Sequence, residues 1–395
     1  MTFLRKGAVR PTLVYFGYAP AEGAGSAIIV LRHLRRFAAN GWDVRVVADW
    51  GQNHAYCREA QWPVMELSHR RPWWPPFNAD HALSRWIRTW LWAGEVRDWL
   101  GPVRPTAVLT YLSAFSDMLS MAAVGFANRF RCPLATIVHD DSRCFAATER
   151  SAIRAHACRQ WILENSTQAW FASPGLASCF NLDQTQVGVL PPIPDGYRAS
   201  PKWNPEFSAS PLLVYAGNYW PGQISMLAKL GRQTAAAGGR LLLLVKTSPE
   251  IEQLCREEPV QWREPFAENR EALSFLTENA AALLVSYSET SDAMPWVQTS
   301  FPSKLIEYTH LGLPILICAP ADTAVAVWAK ERAFPHFALP EAEGAVARFI
   351  QALKDAESWR RMGAVSHRFA EIEFDPARIQ SALETGLLEH DTQYA

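Results

Sequence analysis

The 395-residue chain has no C-x-x-C pair, no run of about eighteen apolar residues and almost no net charge, and each absence removes a class of protein. Seven scattered cysteines (Cys57, Cys132, Cys144, Cys158, Cys179, Cys255 and Cys318) argue against a disulfide framework or a zinc ribbon and for thiols kept reduced, so a cytoplasmic location is expected. A formal charge of −1 provides no field for a polyanion, and nucleic acid is not an expected partner. The start, Met1 to Arg10, carries Arg5, Lys6 and Arg10 without an apolar core, so neither export nor membrane spanning is indicated. The turn Gly23-Ala24-Gly25-Ser26-Ala27-Ile28 lacks the third glycine of the dinucleotide fingerprint, which disfavours a dehydrogenase.

What is present is an apolar content of 49% with 19% charged residues, a globular balance in a chain long enough for two cores. Thr12–Phe16 reads as a strand. A glycine-bearing turn and a helix with apolar positions Ala27, Leu31, Leu34 and Ala38 follow, and Asp43–Ala48 returns as a strand, making a βαβ unit and hence a parallel sheet. Strands at 107–111, 134–138, 169–172 and 187–190 extend it. Six prolines between Pro191 and Pro211 mark a linker, after which 212–217, 241–245, 281–285 and 315–317 repeat the α/β alternation. The expected organisation is two Rossmann-like parallel-sheet lobes facing a central cleft, residues 1–195 and 211–375, with a linker at 196–210. A helical tail at 376–395, after the break at Pro376, is placed to cross back onto the first lobe.

The segment from Phe301 to Leu316 carries the densest signal. Pro302 suits the first turn of a helix, Gly312 a left-handed C-terminal cap, and Pro314 stops the helix before a buried strand. The positive dipole end at Pro302–Lys304, with the free N–H groups of Ser303 and Lys304, favours a phosphate, and Glu307, one turn further in, is placed to accept hydrogen bonds from ribose hydroxyls. An ordinary core helix would have the same spacing.

Five segments, taken in order, carry a resemblance: Gly23-Ala24-Gly25; Ile137-Val138-His139-Asp140; Ser173-Pro174-Gly175-Leu176-Ala177 before Val189-Leu190-Pro191-Pro192; Val214-Tyr215-Ala216-Gly217; and Pro302-Ser303-Lys304-Leu305-Ile306-Glu307-Tyr308. In these the chain resembles the retaining family-4 glycosyltransferases of the two-lobed GT-B type. The resemblance implies transfer of a hexosyl-type sugar from a nucleotide-sugar donor to a hydroxyl of a saccharide or lipid-linked acceptor, in polysaccharide or glycoconjugate biosynthesis. It implies no cofactor, since the nucleotide sugar is a substrate. It also implies a catalytic His139 near the reacting carbon with Asp140 beside it, and donor contacts from Glu307, Lys304, Ser303, Pro302, Gly217 and Asn218. Gly23, Ala24 and Gly25 would form the acceptor or phosphate loop. As alternatives, His139 is a structural residue at a strand end and the glycines a plain turn. Asp140 and Asp141 are adjacent carboxylates without further ligands, so no metal is expected.

Two departures from the family pattern stand out. The acid eight positions before Glu307 is replaced by Thr299, with Glu289 or Asp292 as substitutes. The loop Asn218–Gln223 lacks the usual basic pair, for which Lys246 is a candidate. These gaps keep open a non-catalytic nucleotide-sugar-binding protein; a nucleotide-sugar 2-epimerase-like isomerase, which shares the two-lobed fold and would draw on His139, Asp140 and Asp141 for proton transfer, is the other alternative.

Tryptophan is over-represented, with 17 copies. Trp73, Trp74, Trp86, Trp90, Trp92 and Trp99 crowd into 73–99, where Leu83, Trp86, Ile87, Trp90 and Leu91 form the apolar stripe of an amphipathic helix. That stripe either packs on the first lobe or contacts a membrane or lipid-linked acceptor, at the inner face of the membrane.

Overall fold

The structure is a computed structural model that describes residues 10–22, 25–49, 51–67, 82–112 and 117–389. The chain divides into two compact units, one running to Ile193 and resuming at Ala377, the other Pro194–Pro376.

The first unit holds seven parallel strands, β1 (Thr12–Phe16), β2 (Asp43–Asp49), β3 (Val64–Leu67), β4 (Ala107–Leu112), β5 (Leu134–Val138), β6 (Gln168–Phe171) and β7 (Val187–Val189), in the order β3-β2-β1-β4-β5-β6-β7. Parallel pairing requires a crossover between successive strands, so helices cover both faces and the inner strands are apolar at nearly every position. Alternation along each strand then divides the core in two. Val14, Phe16, Val108 and Val138 join one cluster, whereas Leu13, Tyr15, Leu109, Tyr111 and Ile137 join the other. Ile379, Leu383 and Leu387, from the helix Pro376–Glu389, belong to the second cluster. Gln380 Oε1 lies 2.8 Å from Nδ1 of the buried His33, fastening this helix to Gly25–Ala39.

The second unit holds six parallel strands, β8 (Leu212–Ala216), β9 (Arg240–Leu244), β10 (Val260–Arg263), β11 (Ala282–Ser286), β12 (Ile315–Cys318) and β13 (Phe337–Ala338), ordered β10-β9-β8-β11-β12-β13. The proline-bearing stretch 196–210 is packed onto this unit. Ala199 N donates to His310 O at 3.2 Å, Trp203 Nε1 to Leu353 O at 3.3 Å, and Phe207 is buried.

The helix Ala82–Leu100 rests on Met118–Phe130 through Trp92, Ala93, Val96 and Leu100, with Arg88 and Thr89 on the same buried face. The stripe formed by Leu83, Trp86, Ile87, Trp90 and Leu91 is on the opposite face and exposed, so it is not the packing face. Residues 73–81 of the tryptophan-rich stretch lie outside the described residues. Among the described residues, no helix is long and apolar enough to cross a membrane.

Candidate functional site

In the second unit the site is built where β8 ends and the helix Ser303–Leu311 begins. Pro302 is the N-cap residue itself, one position earlier than the first turn expected of it, because its ψ of 110° is extended while its carbonyl already accepts from Leu305 N at 3.1 Å. Among the described residues no side chain caps this helix start. At the other end Gly312 takes the left-handed cap, φ 66°, as its sequence position implied. Tyr308 Oη accepts from Ala216 N at 3.1 Å and donates to Ala216 O at 3.2 Å, tying the helix to the end of β8.

That tie brings Lys304 over the β8 turn. Its Nζ stands 3.9 Å from the centre of the Tyr215 ring, donates at 3.4 Å to Asn218 O, and lies 3.8 Å from where a side chain on Gly217 would begin. Gly217 has φ +102°, a conformation that glycine adopts without strain, and Tyr215 Oη fixes the turn by donating to Asn218 O at 2.6 Å. Lys304 is half-buried overall, and loss of water around the ammonium pushes its pKa from 10.5 down to about 7. It forms no ion pair among the described residues. A cation held against an aromatic face without a carboxylate partner is suited to an anion supplied from outside.

Pro302, Ser303, Lys304, Gly217 and Asn218 are therefore brought together, with Glu307 one turn into the helix and half-buried. The turn itself carries no basic pair, and the cation beside it is Lys304, 86 positions from Asn218 in sequence. Lys246 is exposed just beyond β9 and Glu289 is exposed in the loop after β11. Neither has a hydrogen bond or ion pair among the described residues. Asp292 is also exposed, and Thr299 is half-buried with its hydroxyl donating to Trp296 O at 3.3 Å.

In the first unit His139 follows β5, 6% exposed, its ring edge-on to Tyr111 at 5.2 Å. Nε2 has no hydrogen-bond partner among the described residues. Burial first, then the neighbouring His33, pushes its pKa down to about 3, so the ring is neutral at ordinary pH. His33, at about 4 for the same leading reason, donates from Nδ1 to Gln380 Oε1 because Gln380 Nε2 is engaged with Glu384. Nothing in the sequence pointed to His33, whose partner is 347 positions away.

Asp140 is half-buried and its carbonyl accepts from Arg159 Nη1 at 3.0 Å. Asp141 is clasped by Arg143, with Nη2 at 2.7 Å and Nε at 2.9 Å; burial would raise this carboxyl, but the bonds and charge of Arg143 hold it below the usual range. Among the described residues no group of three or more histidine, cysteine or acidic side chains is arranged to hold a metal. Gly25 opens the helix Gly25–Ala39, where a side chain would meet nothing within 4 Å among the described residues, and Gly23 and Ala24 lie outside the described residues.

No protein-family signature and no curated protein sequence matches the chain. Solved structures do. Sucrose-phosphate synthase from Thermosynechococcus elongatus superposes with a TM-score of 0.65 at 15% identity, over 97% of this chain and 99% of that one. HepE from Anabaena, in complex with UDP and glucose, gives 0.64 at 11% identity over 96% and 99%. The lipopolysaccharide outer core galactosyltransferase WaaB gives 0.62 at 13% identity, also over 96% and 99%. The chain has the GT-B fold. At these identities the likeness is one of architecture, and it covers both sheets of the GT-B arrangement.

Proposed function

We propose that this GT-B chain is a retaining, family-4-like glycosyltransferase that moves a hexosyl-type sugar from a nucleotide-sugar donor to a hydroxyl of a saccharide or lipid-linked acceptor. The observation that carries the reading is Lys304, held over the Gly217 turn with no anionic partner among the described residues, at an uncapped helix start. Breaking a glycosyl–phosphate bond leaves charge on a diphosphate, and fixed donors aimed at that charge are the largest service a protein can supply. The helix start and Lys304 provide them, while Glu307 accepts from the ribose hydroxyls. HepE, which shares the architecture, has been solved with UDP and with UDP-glucose. His139 acts as a neutral hydrogen-bonding group toward the sugar. Asp141 is committed to Arg143, which removes one of the three groups that an isomerase would draw on for proton transfer.

The reading is tested by incubating the protein with UDP-glucose and other nucleotide sugars and assaying nucleoside diphosphate release, with Lys304→Met as the control. Release that depends on Lys304 supports it. Donor binding without release would return the chain to a nucleotide-sugar-binding role.

The exposed stripe supports work at the cytoplasmic face of a membrane, in polysaccharide or glycoconjugate synthesis. Trp86 and Trp90 are 56% and 55% exposed beside Leu83, Ile87 and Leu91. With Arg88 buried on the packed face, the sequence from 68 to 94 carries Arg70, Arg71 and Arg85 against Asp80, which suits an anionic bilayer. Co-flotation with phosphatidylglycerol vesicles, lost in Trp86→Asp/Trp90→Asp, is expected. Equal flotation of the double variant would remove the membrane from the reading.

A further inference from the structure

A second feature stands at the same end of the second sheet. Trp220, in the loop after β8, and Trp296, in the loop after β11, meet with ring centres 4.6 Å apart and planes inclined at 57°. Trp220 is 43% exposed, and Trp296 is half-buried beneath it. Two indoles that only filled a gap between loops would be covered by them, since large apolar surface left in water forgoes the stabilisation of burial.

The pair is held rigidly although it is exposed. Gln223 Oε1 accepts from Trp220 N at 2.9 Å, and its Nε2 donates at 2.5 Å to Ser286 O at the end of β11. The two loops touch at Gly222, where a side chain would begin 2.9 Å from Ala293 O, so the approach admits only glycine. On the Trp296 side, Asp322 Oδ2 accepts from Ser291 Oγ at 2.6 Å and from Gln298 Nε2 at 2.9 Å, which anchors that loop to the segment after β12. Preorganisation of this kind lowers the cost of seating a ligand.

We infer that Trp220 and Trp296 form a stacking platform for a pyranose ring. A sugar ring has apolar C–H faces and hydroxyls around its edge. An inclined indole pair presents an apolar wall to such a face, while the exposed carboxylates of Glu289 and Asp292, in the loop that carries Trp296, are available to edge hydroxyls. The inference deepens the proposed glycosyl transfer and rests on it for the source of the ring, which is either the donor hexose or a sugar of the acceptor.

Saturation-transfer NMR on the full chain with UDP, UDP-glucose and a glucose tetrasaccharide tests it, using Trp220→Ala and Trp220→Phe. Trp220 is exposed, so neither variant disturbs the core, and unchanged UDP affinity in both confirms folding. A donor platform predicts that hexose C–H saturation and UDP-glucose affinity fall about 5- to 10-fold in Trp220→Ala, the size of a lost aromatic contact, and largely return in Trp220→Phe. An acceptor platform predicts the same loss for the tetrasaccharide with UDP-glucose unaffected. If UDP binds and neither saccharide distinguishes Trp220→Ala from the wild type, or neither saccharide binds, the platform is overturned while the nucleotide site stands. If neither UDP nor the nucleotides of the other sugars tested above bind, the proposed function falls instead, and the tetrasaccharide arm still decides whether the platform exists.

Discussion

Lys304 makes nucleotide-sugar binding dependent on pH in a direction and size that follow from its surroundings. In the free protein its ammonium is held at about 7 by desolvation; a bound diphosphate restores a partner and moves it back toward 10.5. Binding then takes up a proton at any pH between the two values. Below pH 7 both states are charged and affinity is flat. Above it, affinity falls up to about tenfold, or about 1.4 kcal/mol, per pH unit, so UDP-glucose should bind up to about 100-fold more weakly at pH 9 than at pH 6. Tyr215 and Tyr308 flank the ammonium, but burial holds both phenols above their usual range, so neither ionises in this window. UDP-glucose is the right probe because its diphosphate diester keeps both charges from pH 6 to 9. Calorimetry in buffers of different ionisation enthalpy should show uptake approaching one proton near pH 8. Lys304→Met should abolish both the slope and the uptake and bind, at every pH, more weakly than the wild type does at pH 9, because the wild type still takes up its proton on binding there. A flat wild-type profile, or a slope that survives in Lys304→Met, would refute the reasoning.

Glu307→Gln keeps the shape of a half-buried side chain and removes its charge, so UDP affinity should drop about 10- to 100-fold, the worth of one or two charge-assisted hydrogen bonds, while the chain stays folded; calorimetry checks it. His33 and His139 are buried neutral, at about 4 and about 3, against about 6.5 when unfolded. The unfolded chain therefore binds more protons as pH falls below 6.5, and each histidine costs up to about 1.4 kcal/mol of stability per pH unit down to its folded value. Urea midpoints between pH 7 and 4.5 should fall accordingly, less so in His139→Gln. Gly312→Ala places a methyl carbon on φ +66°, 2.0 Å from His367 Nε2, which should cost at least about 1–2 kcal/mol from the backbone alone and lower the melting temperature by roughly 2–8 °C.

The inner strands were legible in the sequence because a strand covered on both faces must be apolar throughout, as Leu212–Ala216 and Ile315–Cys318 are. β3, β10 and β13 were not. They lie at sheet edges, where Val64-Met65-Glu66-Leu67 and Val260-Gln261-Trp262-Arg263 keep an exposed side and show no apolar run. The site divides along the same line. Gly312 is readable because a left-handed cap demands a particular residue. The seat of Lys304 on Tyr215 is not readable, since the two are 89 positions apart and nothing local in either segment specifies the other.

The helix Ala82–Leu100 marks a further limit of the same reasoning. Periodicity shows that Leu83, Trp86, Ile87, Trp90 and Leu91 share a face, and burial alone would send that face inward. The fold does the reverse. It buries Arg88 and Thr89 beside Trp92 and Val96, and leaves Leu83 67% and Trp86 56% exposed. Withholding a leucine and a tryptophan from the interior is unfavourable for a chain surrounded only by water, because neither apolar side chain gains cover. The arrangement becomes favourable once that face meets an apolar layer rimmed by phosphates, which covers the stripe and leaves the packed face unchanged. Trp86→Asp/Trp90→Asp should then leave the melting temperature in water unchanged or higher while abolishing flotation with anionic vesicles; a destabilised double variant would mean that the stripe packs within the protein after all.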